Sequence, residues 1–256
     1  MLKLVVVGAA VAVWVLLVTR PTAAKDPLPL DKLVYKDAAG KELPYRLLRP
    51  AKVEVGTKYP LVIFLHGAGE RGTDNEKQLI HGVPQFVRRR EQYPCFLIAP
   101  QCPGPQKWVE VDWSAATHTQ PEKPGDAGRM VLELIEKSLK DLPIDENRVY
   151  VTGLSMGGYG TWDLAARKPE WFAAIAPVCG GADEATAAKI KDLPIWAFHG
   201  AKDSAVKPER SRNMIAALKK AGGNPKYTEY PTVGHNSWDN AYGDPAFYEW
   251  LFAQKK

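Results

Sequence analysis

Three short stretches carry residue types that together make a nucleophile, a base and an acid that orients the base. Gly153-Leu154-Ser155-Met156-Gly157 fits the pattern G-x-S-x-G, a serine on a tight turn between a strand and a helix. Glycine is required at the flanks because larger residues would collide there. The turn sets Ser155 at a helix N-terminus, where backbone N–H groups stabilise negative charge. A serine hydroxyl is a weak nucleophile until a base takes its proton. Of five histidines, His235 is the candidate base, because it lies in a loop after the last expected strand. Asp203, in the stretch from His199 to Val206, follows the preceding strand and is the candidate acid that fixes the imidazole tautomer. Alone, Asp203 reads equally as a helix cap or a surface acid. The order Ser, Asp, His favours the catalytic reading.

Acyl chemistry also needs donors for a developing oxyanion, each worth about 3 kcal/mol in the transition state. Leu65-His66-Gly67-Ala68-Gly69 ends an apolar run with small residues, which lets a backbone N–H approach a substrate oxygen. The expected donors are the N–H groups of Ala68 and Met156, with Gly69 as a substitute for Ala68. Glu70 and Arg71 are expected to brace that loop, and His66 and His199, each just before a glycine, to brace theirs. His81 and His118 suggest no role. Trp108, Trp113 and Trp238 fall near the expected site. They read either as packing or as a stacking surface for a sugar or aryl ring. Arg88-Arg89-Arg90 reads as a solvated helix face. The three cysteines, Cys95, Cys102 and Cys179, cannot form a closed disulfide framework, and their apolar settings suit buried small hydrophobes. With no Cys-x-x-Cys or paired-His spacing, no metal and no cofactor is expected.

The elements that must position these residues alternate regularly. A hairpin is expected from 33 to 48, turning at Asp37 to Lys41. Short, branched or aromatic runs follow at 61–65, 96–100, 149–153, 173–178, 195–198 and 226–230, as expected of strands buried on both faces. Helical patterns lie at 125–141, 158–168, 185–191, 208–221 and 244–254. Strands alternating with helices predict an α/β fold, a mostly parallel sheet covered on both faces, behind an antiparallel hairpin. Such sheets bind ligands beyond the carboxyl ends of their strands, where all three stretches fall.

Composition limits the classes further. The 256 residues are 45% hydrophobic and 25% charged, which excludes a disordered or polytopic membrane chain. Residues 1–24 read as a signal peptide: a basic start at Lys3, an apolar run from Leu4 to Val18, and small residues Thr22-Ala23-Ala24 before cleavage. That run of about 15 is short for a membrane span of roughly 20, although an uncleaved anchor is the alternative. A secreted or periplasmic location is therefore expected, without stable membrane association after cleavage. The net charge of +5 falls to +3 without Lys3 and Arg20, which is no nucleic-acid footprint. Residues 25–256 read as one catalytic domain.

In His66-Gly-Ala-Gly-Glu-Arg-Gly, Ala99-Pro-Gln-Cys-Pro, Gly153-Leu-Ser-Met-Gly-Gly, His199-Gly-Ala-Lys-Asp and Gly234-His-Asn-Ser-Trp, the chain resembles an α/β-hydrolase. The resemblance is to secreted esterases of the carboxylesterase/phospholipase, dienelactone-hydrolase-like and prolyl-oligopeptidase-like group. The chain is also similar to feruloyl and acetylxylan esterases. It implies ester cleavage through an acyl-enzyme, on small-molecule or polysaccharide esters, by Ser155, Asp203 and His235. The 180–193 segment is too short for the cap domain that many lipases insert, so none is expected. The alternatives are a serine peptidase with the same triad and a non-catalytic glycan-binding module on a hydrolase fold.

Overall fold

The computed structural model describes residues 28–256. The expected signal peptide, 1–24, lies outside the described residues. Leu30–Lys36 (β1) and Glu42–Leu48 (β2) pair antiparallel as the expected hairpin, with the turn held by Asp37 Oδ1, which accepts the N–H groups of Ala39 and Lys41. Tyr59–Leu65 (β3) and Phe96–Pro100 (β4) follow, with helix Val83–Arg88 (α1) between them. Helix Asp126–Asp141 (α2) leads into the long strand Ile144–Leu154 (β5), and Met156–Arg167 (α3) starts directly after the elbow. Ala174–Val178 (β6), the single turn Ala187–Ile190 (α4), Trp196–Gly200 (β7), Glu209–Lys220 (α5) and Lys226–Tyr230 (β8) alternate as predicted. Two helices close the chain, Trp238–Gly243 (α6) and Pro245–Ala253 (α7).

The eight strands form one sheet in the order β1-β2-β4-β3-β5-β6-β7-β8. The first two strand pairings, β1 with β2 and β2 with β4, are antiparallel, and β4 through β8 run parallel. Alternation along β3 assigns Leu61, Ile63 and Leu65 to one face and Val62 and Phe64 to the other. The first face packs against apolar residues of α2, α3, α4 and α5. The second packs against α1, α6 and α7 through Phe86, Tyr242, Phe247 and Tyr248. Every residue of β3 is buried, which is why that run lacks polar alternation.

Two differences from the expected elements have clear causes. Strand β5 begins five residues before Val149, in the polar stretch Asp145-Glu146-Asn147 that carries no strand pattern. The expected helix over 185–191 is a 3-10 turn, Glu184–Thr186, capped by Asp183, followed by one α-helical turn. Among the described residues, no helix is long and apolar enough to cross a membrane.

Candidate active site

The elbow is built by close approach. A Cβ on Gly157 would lie 1.9 Å from the Leu65 carbonyl oxygen, and one on Gly153 would lie 2.5 Å from the same atom. Both positions therefore admit only glycine, and strand β3 presses directly on the turn. Ser155 takes φ +53°, a left-handed conformation that costs a non-glycine residue about 1–3 kcal/mol. Its N–H donates to Val178 at the end of β6, so the strain is held from two neighbouring strands.

Ser155 Oγ donates to His235 Nε2 at 2.9 Å. His235 Nδ1–H donates to Asp203 Oδ2 at 2.7 Å. A carboxylate oxygen only accepts, so the proton lies on Nδ1 and the Nε2 lone pair faces the serine. The His235 side chain is 28% exposed and that of Asp203 is 0% exposed. His235 thus meets solvent while Asp203 does not. Burial alone would raise the Asp203 pKa. His199, His235 and the Val206 N–H outweigh it and hold the carboxyl well below the usual carboxylate range. Asp203 is therefore ionised at neutral pH.

Met156, Gly157 and Gly158 open helix α3, so their N–H groups have no partner within the helix. Ala68 begins a short 3-10 turn, Ala68–Glu70, after Gly67. A Cβ on Gly67 would stand 3.6 Å from the Ser155 Cβ, which sets this turn beside Ser155. Arg71 braces it: Nε donates to the Ala68 carbonyl at 2.9 Å, and Nη1 reaches the carbonyls of Pro105 and Gln106. His66, fully buried, ties the end of β3 to the chain leaving β4 through Nε2, which accepts the Cys102 N–H.

The three tryptophans separate. Trp108 is a correction: it is 2% exposed, and its indole N–H donates to the His66 carbonyl at 3.0 Å, so it is core and offers no stacking face. Trp113 is half-buried under the Lys107 ammonium, 4.7 Å from the ring centroid, with Arg71 at 5.9 Å. Trp238 is half-buried and meets the His235 ring edge-on at 5.3 Å. Its other neighbour is His81, also at 5.3 Å, a residue whose sequence context carried no signal. His118 packs on Tyr159 and contacts the buried Arg210; burial, with that guanidinium beside it, pushes its pKa down to about 4.

Among the described residues, one grouping of ligand-type atoms is tight enough for a metal: Cys179, Asp203 and His235, within 4.8 Å of one another. Two of these already hydrogen-bond each other, and burial pushes the Cys179 thiol up, so the set does not suit a cation. All three cysteines are free and buried, as expected.

The chain belongs to the Phospholipase/Carboxylesterase family, which matches residues 53–244. A solved thermostable esterase is 42% identical, with a TM-score of 0.82, over 89% of this chain and 64% of that one. A poly(3-hydroxybutyrate) depolymerase of Ralstonia pickettii is 29% identical over 140 residues, 54% of this chain and 28% of the relative. A bifunctional acetylxylan esterase/xylanase of Neocallimastix patriciarum is 35% identical over 86 residues, 33% of this chain and 13% of the relative. This chain thus spans less than a third of either curated relative's length.

Proposed function

We propose that the chain is a serine hydrolase of carboxylic esters, with Ser155 as nucleophile, His235 as base and then acid, and Asp203 as its orienting partner. The observation that carries this is the unbroken line Ser155 Oγ to His235 Nε2 to Asp203 Oδ2, at 2.9 and 2.7 Å. Ser155 Oγ attacks the ester carbonyl carbon as its proton passes to Nε2. The oxyanion takes hydrogen bonds from the N–H groups of Met156 and Ala68. Collapse breaks the bond to the alkoxy oxygen, which leaves with the proton from His235. Water then attacks the acyl carbon as its proton passes to the same nitrogen, and collapse breaks the bond to Ser155 Oγ, which takes that proton back as the acid departs.

The preferred substrate is a short acyl or feruloyl ester of a glycan. Between β6 and β7 the chain has only a 3-10 turn and one helical turn, so that connection supplies no cap to enclose a long acyl chain. Trp238 beside His235 supports a sugar or aryl ring near the leaving group. Trp113 already lies against two cations and is less available. The acetylxylan esterase and the polyester depolymerase among the relatives suit a polymeric ester. The basic and apolar stretch before Thr22-Ala23-Ala24 supports export to where such polymers occur, with residues 25–256 as one catalytic domain.

The test is covalent labelling with a fluorophosphonate, alongside turnover of a short ester. Wild type labels, and Ser155→Ala does not. That variant loses roughly four to six orders of magnitude in kcat, leaving binding and oxyanion effects alone. A Ser155→Ala variant that keeps a tenth of wild-type turnover refutes the assignment.

A further inference from the structure

The histidine four residues before Asp203 is the most constrained polar side chain beside the catalytic line. His199 is the penultimate residue of β7 and is wholly buried. Its Nε2 lies 2.9 Å from the Val206 carbonyl oxygen and 3.2 Å from Asp203 Oδ2. Both neighbours are acceptors, so Nε2 carries a hydrogen in either protonation state, shared between them and closer to the carbonyl. Ser211 on α5 holds the far side of the ring, its Oγ 2.8 Å from Nδ1.

A carboxylate offers about four lone-pair positions, and Asp203 has a donor for each. Oδ1 accepts the N–H groups of Ala205 and Val206, both at 2.9 Å. Oδ2 accepts His235 Nδ1 and faces His199 Nε2. The terminal torsion of aspartate is broad and barely fixes the carboxylate plane by itself. The plane is therefore set by these four donors, and of them only His199 lies outside both the base and the Asp203–Val206 turn. The remaining titratable groups around it are held elsewhere. Glu229, opposite His199 on β8, is bound by Arg212 and Tyr227, and the Cys179 thiol is buried.

We propose that His199 is a positioning residue for the ester-cleaving reaction, its shared Nε2–H fixing the Asp203 carboxylate in the one plane that meets His235. This rests on the catalytic reading of Ser155, Asp203 and His235. A histidine that merely braced the loop would act through Val206 alone and leave turnover untouched in a folded variant.

Two amide variants separate the contacts. In His199→Gln the amide nitrogen reaches the Nε2 position and keeps a donor on Asp203. In His199→Asn the amide reaches only the Nδ1 position, which keeps Ser211 and abandons Asp203. With full-length protein and p-nitrophenyl acetate, His199→Asn is expected to lower kcat by about ten- to a hundredfold, the scale of a small misplacement. KM stays unchanged, and His199→Gln recovers most of the loss. A Gln variant as slow as Asn, or an Asn variant as fast as wild type, overturns the proposal. Should His199→Asn not fold, Ser211→Ala decides, because it frees the far side of the ring without emptying the core. A lower kcat at constant KM supports the role, and wild-type kcat overturns it. Fluorophosphonate labelling of wild type runs alongside: its absence sinks the catalytic reading itself, whereas labelling with unmoved variants sinks only the role of His199.

Discussion

Acid should loosen the oxyanion side of the site before it affects most of the sheet, because His66 cannot take a proton where it sits. Its Nδ1–H donates to the Gly67 carbonyl at 2.6 Å, and its Nε2 accepts the Cys102 N–H at 2.9 Å. A second proton would break the Cys102 bond and strand a charge in a residue 1% exposed. Burial accordingly pushes the His66 pKa from 6.5 down to about 4. As pH falls, the unfolded chain therefore binds this proton first. Stability from this group is complete above about pH 6.5, declines through the interval down to about pH 4, and is flat below it. That shift is worth about 3 kcal/mol in all, roughly 2 of them by pH 5. Urea unfolding followed by tryptophan fluorescence at pH 7.5 and pH 5 measures it against His66→Gln, which offers Cys102 an acceptor but does not titrate. His118 and the carboxylates titrate alike in both proteins and cancel. Wild type should lose about 2 kcal/mol more than the variant over that interval. Parallel losses would refute the argument that a neutral, doubly bonded His66 holds this loop.

Two further outcomes follow from geometry. Gly157→Ala drives a Cβ to 1.9 Å from the Leu65 carbonyl oxygen, and a backbone atom cannot yield as a side-chain tip can. It should cost about 3 kcal/mol or more and lower Tm and activity together, and a wild-type Tm would disprove the close packing of elbow on strand. For acyl length, kcat/KM measured on acetyl, butyryl and decanoyl esters of one alcohol should favour the two short chains. A site without a cap forgoes about 0.8 kcal/mol for each methylene left in water. A decanoyl preference would point to an apolar channel and against the glycan-ester reading.

Where a residue's role depends on its immediate neighbours in the chain, the sequence was readable. The helix α7 follows Asp244, whose side chain accepts the Ala246 N–H, and Pro245, which suits a first helical position. The glycines around Ser155 announced a tight turn, and the turn has the positive φ such a nucleophile needs. The helix α1 was legible only at its end, where Arg88-Arg89-Arg90 suggested a helix face that in fact stops at Arg88; its start, introduced by Gly82 at φ +74° with Pro84 in the first turn, was not. Gly-Val-Pro carries a turn signature, and a single helical turn and a half is too short for periodicity to oppose it. The helix α6 was missed for the same reason of length. Trp108 was left between packing and stacking because a tryptophan in a loop has no pattern that reports burial. Only the fold brings its indole to the His66 carbonyl, 42 positions away.

His66 and His199, both expected only to brace loops, repeat one device at the two ends of the hydrogen-bonded line from Ser155 to Asp203. Each lies within one residue of the end of a parallel strand, is buried, and precedes a glycine. In both, the imidazole holds the outgoing loop: His66 reaches the Gly67 carbonyl and Cys102, and His199 reaches Val206 and Ser211. In both, the glycine lets a second loop come close. A Cβ on Gly67 would meet Leu154 at 2.9 Å and Ser155 at 3.6 Å, and one on Gly200 would lie 2.1 Å from the Gly234 carbonyl, just before His235. The histidine fixes where a loop starts, and the missing side chain fixes how near the next catalytic residue stands. Gly67 is thereby held against Ser155, and Asp203 against His235. Proton transfer and oxyanion binding depend on sub-ångström placement, and in the proposed reaction these two dipeptides set it from the ends of two parallel strands.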